Sequence, residues 1–439
     1  MLAFLLQLNA WLVTGKVFLF ALFMLGIWFL WLLRVIIASG YRPWTAPYAV
    51  TTSVIVPVVD EPEELFRRVL DRIVEQRPTE VIVVINGPRN DRLEAVCRAA
   101  GVRWAWIADA GKRRALQVGV GMASGEIAVL VDSDTVWTPT TLAELVKPFR
   151  DPTVGGVTTR QRILDPGRST LTRWADWLEN VRNEYTMPAM SVLGTVGCLP
   201  GRTIAFRRSI LVSSMDRFLS ERFLGVFLEV SDDRTLTNYT LMAGYRTVFQ
   251  STSLVYTNAP TRLGTLVRQQ YRWARGSQYN TLRMLPWMLI HAPVLAVFYL
   301  ADIIVPFVLV GSIVSWGISI ATRDRAVIYD ALPLPDTPWQ AVAVILALTA
   351  LMTMLSLSIR FSRHFTERPR DLAHLPAFMM INTFLLMPIR VLGFIRMAHN
   401  AGWGTRRGGF AGQRTRSALL VLPYLLGGAL LTVSVMVGV

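Results

Sequence analysis

The segment Ile127-Ala128-Val129-Leu130-Val131-Asp132-Ser133-Asp134 decides the fold. Its first half is an uninterrupted apolar run, the pattern of a strand buried on both faces of a parallel sheet. Its second half delivers carboxylates at the strand's carboxyl end, the edge at which open α/β sheets bind their ligands. Thr51 to Val59 has the same β-branched, apolar texture and reads as a further buried strand. Glu63 to Glu75 has helical character with mixed charge, and Glu80 to Ile85 reads as a strand closed by the turn Asn86-Gly87-Pro88. Leu93 to Ala100 reads as a short helix. This alternation, beginning near Tyr48, is that of an α/β domain.

The flanks have another character. Hydrophobic residues make up 52% of the 439 residues, and the mean hydropathy is +0.40, above that of an average soluble domain. Met1 to Val13 is apolar but short for a membrane crossing, and reads as an interfacial helix or a partial first crossing. No small-residue cleavage pattern follows it, so a cleaved signal is not expected. Val17 to Leu33, Ile303 to Ile320, Ala341 to Ile359 and Ala418 to Val439 read as spans. Arg34 and Arg42, and the loop with Arg360, Arg363, Arg368 and Arg370, place their sides in the cytosol. Leu372 to Ile395 lies between basic loops and contains Pro376, Pro388, Asn382 and Arg390, which predicts a broken interfacial or re-entrant element. Asp302 stands at a span edge, either lining a polar passage or at an ordinary interface.

Lys and Arg total 45 against 30 Asp and Glu, a net charge of +15. On a membrane protein such an excess fits loops against anionic lipid, and it also fits an anionic substrate such as a nucleotide sugar. No nucleic-acid-binding motif is present, so no nucleic-acid partner is expected. Cys97 and Cys198 are far apart and form neither a disulfide framework nor a metal spacing.

Several clusters carry chemistry. At a strand end Asp132 and Asp134 point the same way, and their oxygens can hold a divalent ion against a diphosphate; the alternative is a solvated turn. Asp232-Asp233-Arg234 offers either an ion pair or a general base for a sugar hydroxyl. Gln269, Arg272 and Trp273 share a helical face, where Arg can fork onto phosphate and Trp can stack on a sugar ring. Lys112-Arg113-Arg114 after Gly111 reads as a loop that either counters a diphosphate or is a solvated basic turn. Leu171 to Tyr185 is amphipathic, with Trp174, Trp177, Leu178, Val181 and Tyr185 on one face; it suits a membrane surface or packing on the sheet equally. Ser277 to His291 is similar. Trp403-Gly404-Thr405-Arg406-Arg407-Gly408-Gly409 combines mobility with anion affinity.

Taken in order, Gly111-Lys112-Arg113, Val131 to Thr135, Asp232 to Asn238, Gln269 to Trp273 and Ala401 to Arg406 resemble the family 2 processive glycosyltransferases, most closely hyaluronan synthases, with chitin and chito-oligosaccharide synthases next. The resemblance extends from about Thr51 to Arg406. It implies a cytosolic GT-A-type α/β domain at 48–276, after an N-terminal membrane region at 1–47. Interfacial helices, transmembrane helices and a gating loop near 397–417 would follow within 277–439. By position it implies that Asp132 contacts the nucleotide, that Asp134 binds Mg²⁺ or Mn²⁺, and that Asp233 is the base, with Asp232 beside it in the substrate site. Lys112 would contact the diphosphate. Gln269, Arg272 and Trp273 would frame the acceptor and diphosphate, and Trp403, Thr405 and Arg406 would close over the nucleotide.

The sequence departs from the family's pattern in places. Cys198-Leu199-Pro200-Gly201 stands on the acceptor side where relatives have a Ser-Gly-Pro order. Asn86 stands where many have an acidic residue for the nucleoside, and Ser231 where close relatives have Gly or Glu. The implied activity is inverting polymerisation of UDP-sugars, UDP-GlcNAc and UDP-GlcA first, with the polysaccharide passed through a multi-pass plasma-membrane protein. The alternatives are a chitin-type or other homopolymer synthase, a single-sugar polyprenyl-phosphate transferase, and a transporter or binding protein with a degenerate transferase domain.

Overall fold

The computed structural model describes residues 19–109, 111–322, 335, 337–399 and 417–437. Chain contacts divide the protein into two compact units, one of Ile36–Ala296 with Met397–Leu420, the other of Met1–Val35, Val297–Arg396 and Val421–Val439.

The first unit is built on an eight-stranded mixed sheet of order β3-β2-β1-β4-β7-β6-β10-β5. The strands are β1 (Thr52–Val58), β2 (Glu80–Asn86), β3 (Arg103–Ile107), β4 (Ile127–Val131), β5 (Val136–Trp137), β6 (Val154–Ile163), β7 (Thr203–Arg207) and β10 (Arg246–Thr257). A separate hairpin pairs β8 (Arg222–Phe223) with β9 (Val226–Phe227). Strands β1, β2, β3 and β4 are parallel, with Val58 opposite Ile85 and Ile55 opposite Leu130. Strand β7 runs antiparallel between β4 and β6. The expected apolar strands form because burial on both faces rewards each Val, Ile and Leu by roughly 1.5–3 kcal/mol. Phe66, Val69, Leu70 and Ile73 of the helix Glu63–Val74 are fully buried in the core cluster with the sheet's Val and Ile.

Several expectations are corrected. Lys112-Arg113-Arg114 is not loop but the first turn of a helix, Lys112–Met122. Its buried stripe, Ala115, Leu116, Gly119 and Val120, lies on the sheet, and a Cβ at Gly119 would collide with Ile55. The amphipathic segment is the helix Thr170–Val181, a π-helical turn Arg182–Thr186 and the helix Met187–Val192. Trp174 and Trp177 are buried, and Arg162 of β6 clamps Asp176 through Nε at 3.0 Å and Nη2 at 2.9 Å. This segment therefore packs on the sheet rather than lying on a membrane surface. The segments bearing Gln269 and His291 are one helix, Leu263–His291, with Pro286 inside it.

Three described helices, which supply most of the second unit, are long and apolar enough to cross a membrane: Pro293–Ser315, Pro369–Ile395 and Ala418–Met436. Met24–Ser39 and Leu346–Arg360 are shorter apolar helices. The segment expected to be broken around Pro376 and Pro388 is helical throughout: Pro369–His374, Leu375–Met380, Ile381–Leu386 and Met387–Ile395 follow one another. Its π-helical turn, Ile381–Leu386, precedes Pro388, the kind of local adjustment that tolerates proline in an apolar helix. Phe307 meets Phe394 edge to face at 5.3 Å. Gly311 lets its helix approach Ser434 closely. Asp302 lies 3.9 Å from Arg34, which also covers the Phe298 ring. The segment Met1 to Val13 lies outside the described residues.

Candidate active site

Strand β4 stops at Val131, so Asp132-Ser133-Asp134 forms a turn rather than a continued strand. The turn is closed by the Thr135 N–H on the Asp132 carbonyl at 3.0 Å and pinned to β7 by the Asp132 N–H on the Arg202 carbonyl at 3.0 Å. Ser133 donates to Glu61 at 2.9 Å. From the first turn of its helix, the Lys112 ammonium reaches Asp132 Oδ1 at 2.5 Å. Burial alone would lower the Lys112 pKa, but Asp132, Asp232 and Asp233 outweigh it and hold the ammonium above its usual range.

Asp232 and Asp233 open the helix Asp232–Met242. Asp233 Oδ2 accepts from the Gly201 N–H at 3.1 Å and Oδ1 from the Arg234 N–H at 2.8 Å. Asp232 is buried and paired with Arg113 at 2.8 Å. Arg234 points to the Leu263–His291 helix, donating to Ser277 and Thr281 at 2.7 Å each. One cleft is lined by Lys112, Asp132, Gly201, Asp232 and Asp233 against the apolar wall of Leu116, Leu130, Val131, Ile204 and Leu236. Burial and the neighbouring Asp232 raise the Asp233 pKa, while Lys112 and the flanking N–H groups partly offset them.

Of the residues singled out from sequence, Lys112, Asp132, Asp232 and Asp233 share this cleft, and Asp134 follows in the turn. Cys198 stands close enough that burial, aided by the Asp233 charge, pushes its thiol up to about 12. Asn86 is buried, donating to the Val58 carbonyl at 3.0 Å and accepting from the Gly111 N–H at 3.2 Å. Both bonds pin backbone, at the end of β1 and at the entry of the Lys112 helix. Gln269, Arg272 and Trp273 occupy the first half of the Leu263–His291 helix, outside the cleft lining, and Trp273 is exposed. Arg275 of that helix bonds the His399 carbonyl. Trp403, Thr405 and Arg406 lie outside the described residues.

Arg113, Glu221, Tyr279 and Arg283 escaped sequence reasoning as a group. Arg113 carried a signal as the neighbour of Lys112. Glu221 carried none, because its partners come from distant segments.

Among the described residues no group of three His, Cys, Asp or Glu converges as a metal cage. The turn offers only hard carboxylate oxygens, Asp132 and Asp134. Such a donor set fits a hard divalent ion completed by substrate phosphates and water, and does not fit a closed zinc site.

A family model described as "Glycosyltransferase like family 2" matches residues 49–276. The chain belongs to glycosyltransferase family 2. This family 2 enzyme is 29% identical over 368 residues to an N-acetylglucosaminyltransferase of Rhizobium meliloti (strain 1021), covering 80% of each chain. It is 24% identical over 381 residues to a hyaluronan synthase of Streptococcus pyogenes, covering 84% of this chain and 86% of the relative. Among solved structures it is similar to a mannosyltransferase from Pyrobaculum calidifontis in complex with GDP-Man and Mn²⁺, with a TM-score of 0.51 and 22% identity over 86% of this chain and 98% of that one. The transferase unit is thus a GT-A-like fold with a mixed sheet, accompanied by apolar helices.

Proposed function

We propose that the chain is a membrane-integrated, processive, inverting β-glycosyltransferase that polymerises UDP-sugars and passes the polysaccharide across the plasma membrane, its transferase unit in the cytoplasm. The observation that carries this is the geometry of Asp233. Backbone N–H groups aim its carboxylate into the same cleft as the Lys112–Asp132 pair.

In this reading the donor diphosphate lies against Lys112, with Asp132 on the nucleotide side. An acceptor hydroxyl attacks the anomeric carbon as its proton passes to Asp233 and the bond to the diphosphate breaks, UDP taking the electron pair. The raised proton affinity of Asp233 suits a base. Arg272 and Arg406 would add positive charge for the leaving group, Trp403, Thr405 and Arg406 would close over the nucleotide, Gln269, Trp273 and Cys198 would bound the acceptor, and Asn86 would serve the nucleotide side by pinning the entry of the Lys112 helix. Asp134 would hold Mg²⁺ or Mn²⁺, which supplies charge neutralisation on the diphosphate when bound.

The test is UDP release by the purified full chain in detergent with Mn²⁺, given UDP-GlcNAc, UDP-GlcA or both. Release with long polymer only when both are present supports a hyaluronan-type product. The higher identity to N-acetylglucosaminyltransferases, with Cys198-Leu199-Pro200-Gly201 in the acceptor loop, favours a second reading in which UDP-GlcNAc alone suffices. A lipid-linked monosaccharide product would overturn both. Asp233→Asn is expected to lower transfer about 10²–10⁴-fold while UDP binding is retained. Undiminished transfer would remove Asp233 from the base role.

A further inference from the structure

Beside the cleft lies a buried cluster that no step above uses. Arg113 is 2% exposed and spends its guanidinium on several partners. Nε meets Asp232 Oδ1 at 2.8 Å, Nη1 the Phe218 carbonyl at 2.6 Å, and Nη2 meets Glu221 Oε2 at 2.7 Å and the Val230 carbonyl at 3.3 Å. The Glu221 side chain is fully buried and also pairs with Arg283. From the Leu263–His291 helix, Tyr279 donates to the same Val230 carbonyl at 2.7 Å. A buried and a partly exposed cation, Arg113 and Arg283, thus meet two buried anions, Asp232 and Glu221, with the backbone of one short segment held beside them.

That segment ends in a strained residue. Ser231 has φ 65° and ψ 57°, left-handed geometry that side chains other than Gly rarely adopt. Such conformations persist only where surrounding contacts over-determine them, and they concentrate at functional sites. Here the strained residue immediately precedes Asp232 and Asp233. On the other side of the cluster, Arg113 immediately follows Lys112.

We propose that Arg113, Glu221 and Tyr279 form a clamp on the Val230 carbonyl and Asp232 that holds Ser231 left-handed, thereby fixing Asp233 opposite Lys112 as positioning residues for the transfer step. The placement of Asp233 as base rests on the proposed function. The clamp itself is a statement about backbone geometry. A clamp on the base governs the chemical step more than donor affinity, because the groups facing the diphosphate stay on their own elements. Misplacement of a reacting group by about 1 Å can cost on the order of 10²-fold in rate.

The experiment uses the full chain in detergent. Tyr279→Phe deletes one hydroxyl and keeps the ring, so it is the mildest way to loosen the clamp; Glu221→Gln is the second variant. Three quantities are read: kcat for UDP release, UDP affinity, and hydrogen–deuterium exchange of the peptide covering 230–235. For Tyr279→Phe, kcat is expected to fall about ten-fold, the size of one lost buried hydrogen bond, with UDP affinity unchanged within about two-fold and faster exchange of 230–235. Adding Ser231→Gly, which makes the left-handed turn without strain, is expected to restore several-fold of the lost kcat and slow the exchange again. A merely structural role would give no such rescue. Wild-type exchange and kcat in both single variants, or a loss that Ser231→Gly does not repair, would overturn the clamp. If the wild type releases no UDP from any donor, the proposed function fails, and the exchange data still decide the clamp.

Discussion

At Asp233 and Glu80 burial pushes the carboxyl pKa the same way, and the partners around each decide whether it ends high or low. At Asp233 burial prevails, and the carboxyl binds its proton more tightly than an exposed aspartate. A base must be deprotonated, so activity is expected to fall as the pH drops through this raised pKa. The acid limb of kcat should therefore lie above the ordinary Asp range of about 3.9; a limb at or below that value would contradict it. At Glu80 burial again pushes up, but bonds from Ser53, Ser124 and Arg103 outweigh it and lower the carboxyl to about 2. A depressed acid stabilises the fold above its unfolded pKa and loses that contribution as the pH falls through the folded value. Glu80→Gln should therefore lower the melting temperature at pH 7, and its deficit should shrink towards pH 2. An equal deficit at both pH values would sink this account. Asp132, Asp233 and Lys112 were legible as residues because a strand end, an acidic pair and a glycine-led basic run are local patterns. The partner of Asp232 was not: Arg113 is 119 positions away.

At the scale of elements, apolar strands were readable and polar ones were not. Strands β1, β2 and β4 carry continuous Val and Ile. Strand β6 buries Thr158, Thr159, Gln161 and Arg162, and its polar contacts reach other segments: Asn183 donates to the Gln161 carbonyl, and Arg162 donates to Asp176. The Lys112–Met122 helix was obscured by its opening basic residues and by Gly119 and Gly121, although Ala115, Leu116, Gly119 and Val120 mark its buried stripe. The Leu263–His291 helix packs on the Asp232 helix at a glycine. A Cβ at Gly276 would meet the Ser231 Cβ at 2.6 Å and its Oγ at 3.0 Å. Gly276→Ala is therefore expected to destabilise the transferase unit by about 1–3 kcal/mol and to lower kcat by displacing the Ser231 turn. A melting curve and UDP release would check both, and a wild-type result in each would show that the helices separate freely.

For the whole molecule, the apolar helices and the basic loops between them set a topological expectation. The positive-inside rule puts Arg360 to Arg370 in the cytosol. A cysteine placed by Arg368→Cys should react with an impermeant maleimide in inside-out vesicles and not in right-side-out ones; the reverse pattern would overturn the assignment. Background labelling should be low, since burial pushes the Cys97 and Cys198 thiols up to about 12 each and the thiolate is the reactive form. The sequence by itself determined the α/β class, the apolar helices and the residues of the acidic turns, because hydropathy period, strand-end carboxylates and charge at span ends act within a few residues. Only the tertiary structure decided that Trp174 and Trp177 face the sheet rather than a membrane, that Pro376 and Pro388 leave their segment helical, and that Arg113 pairs with both Asp232 and Glu221. Pro388 is accommodated by the π-helical turn Ile381–Leu386; the tryptophan and Arg113 placements depend on the free energy of burying a polar or aromatic group against a distant partner, and no local pattern encodes that partner.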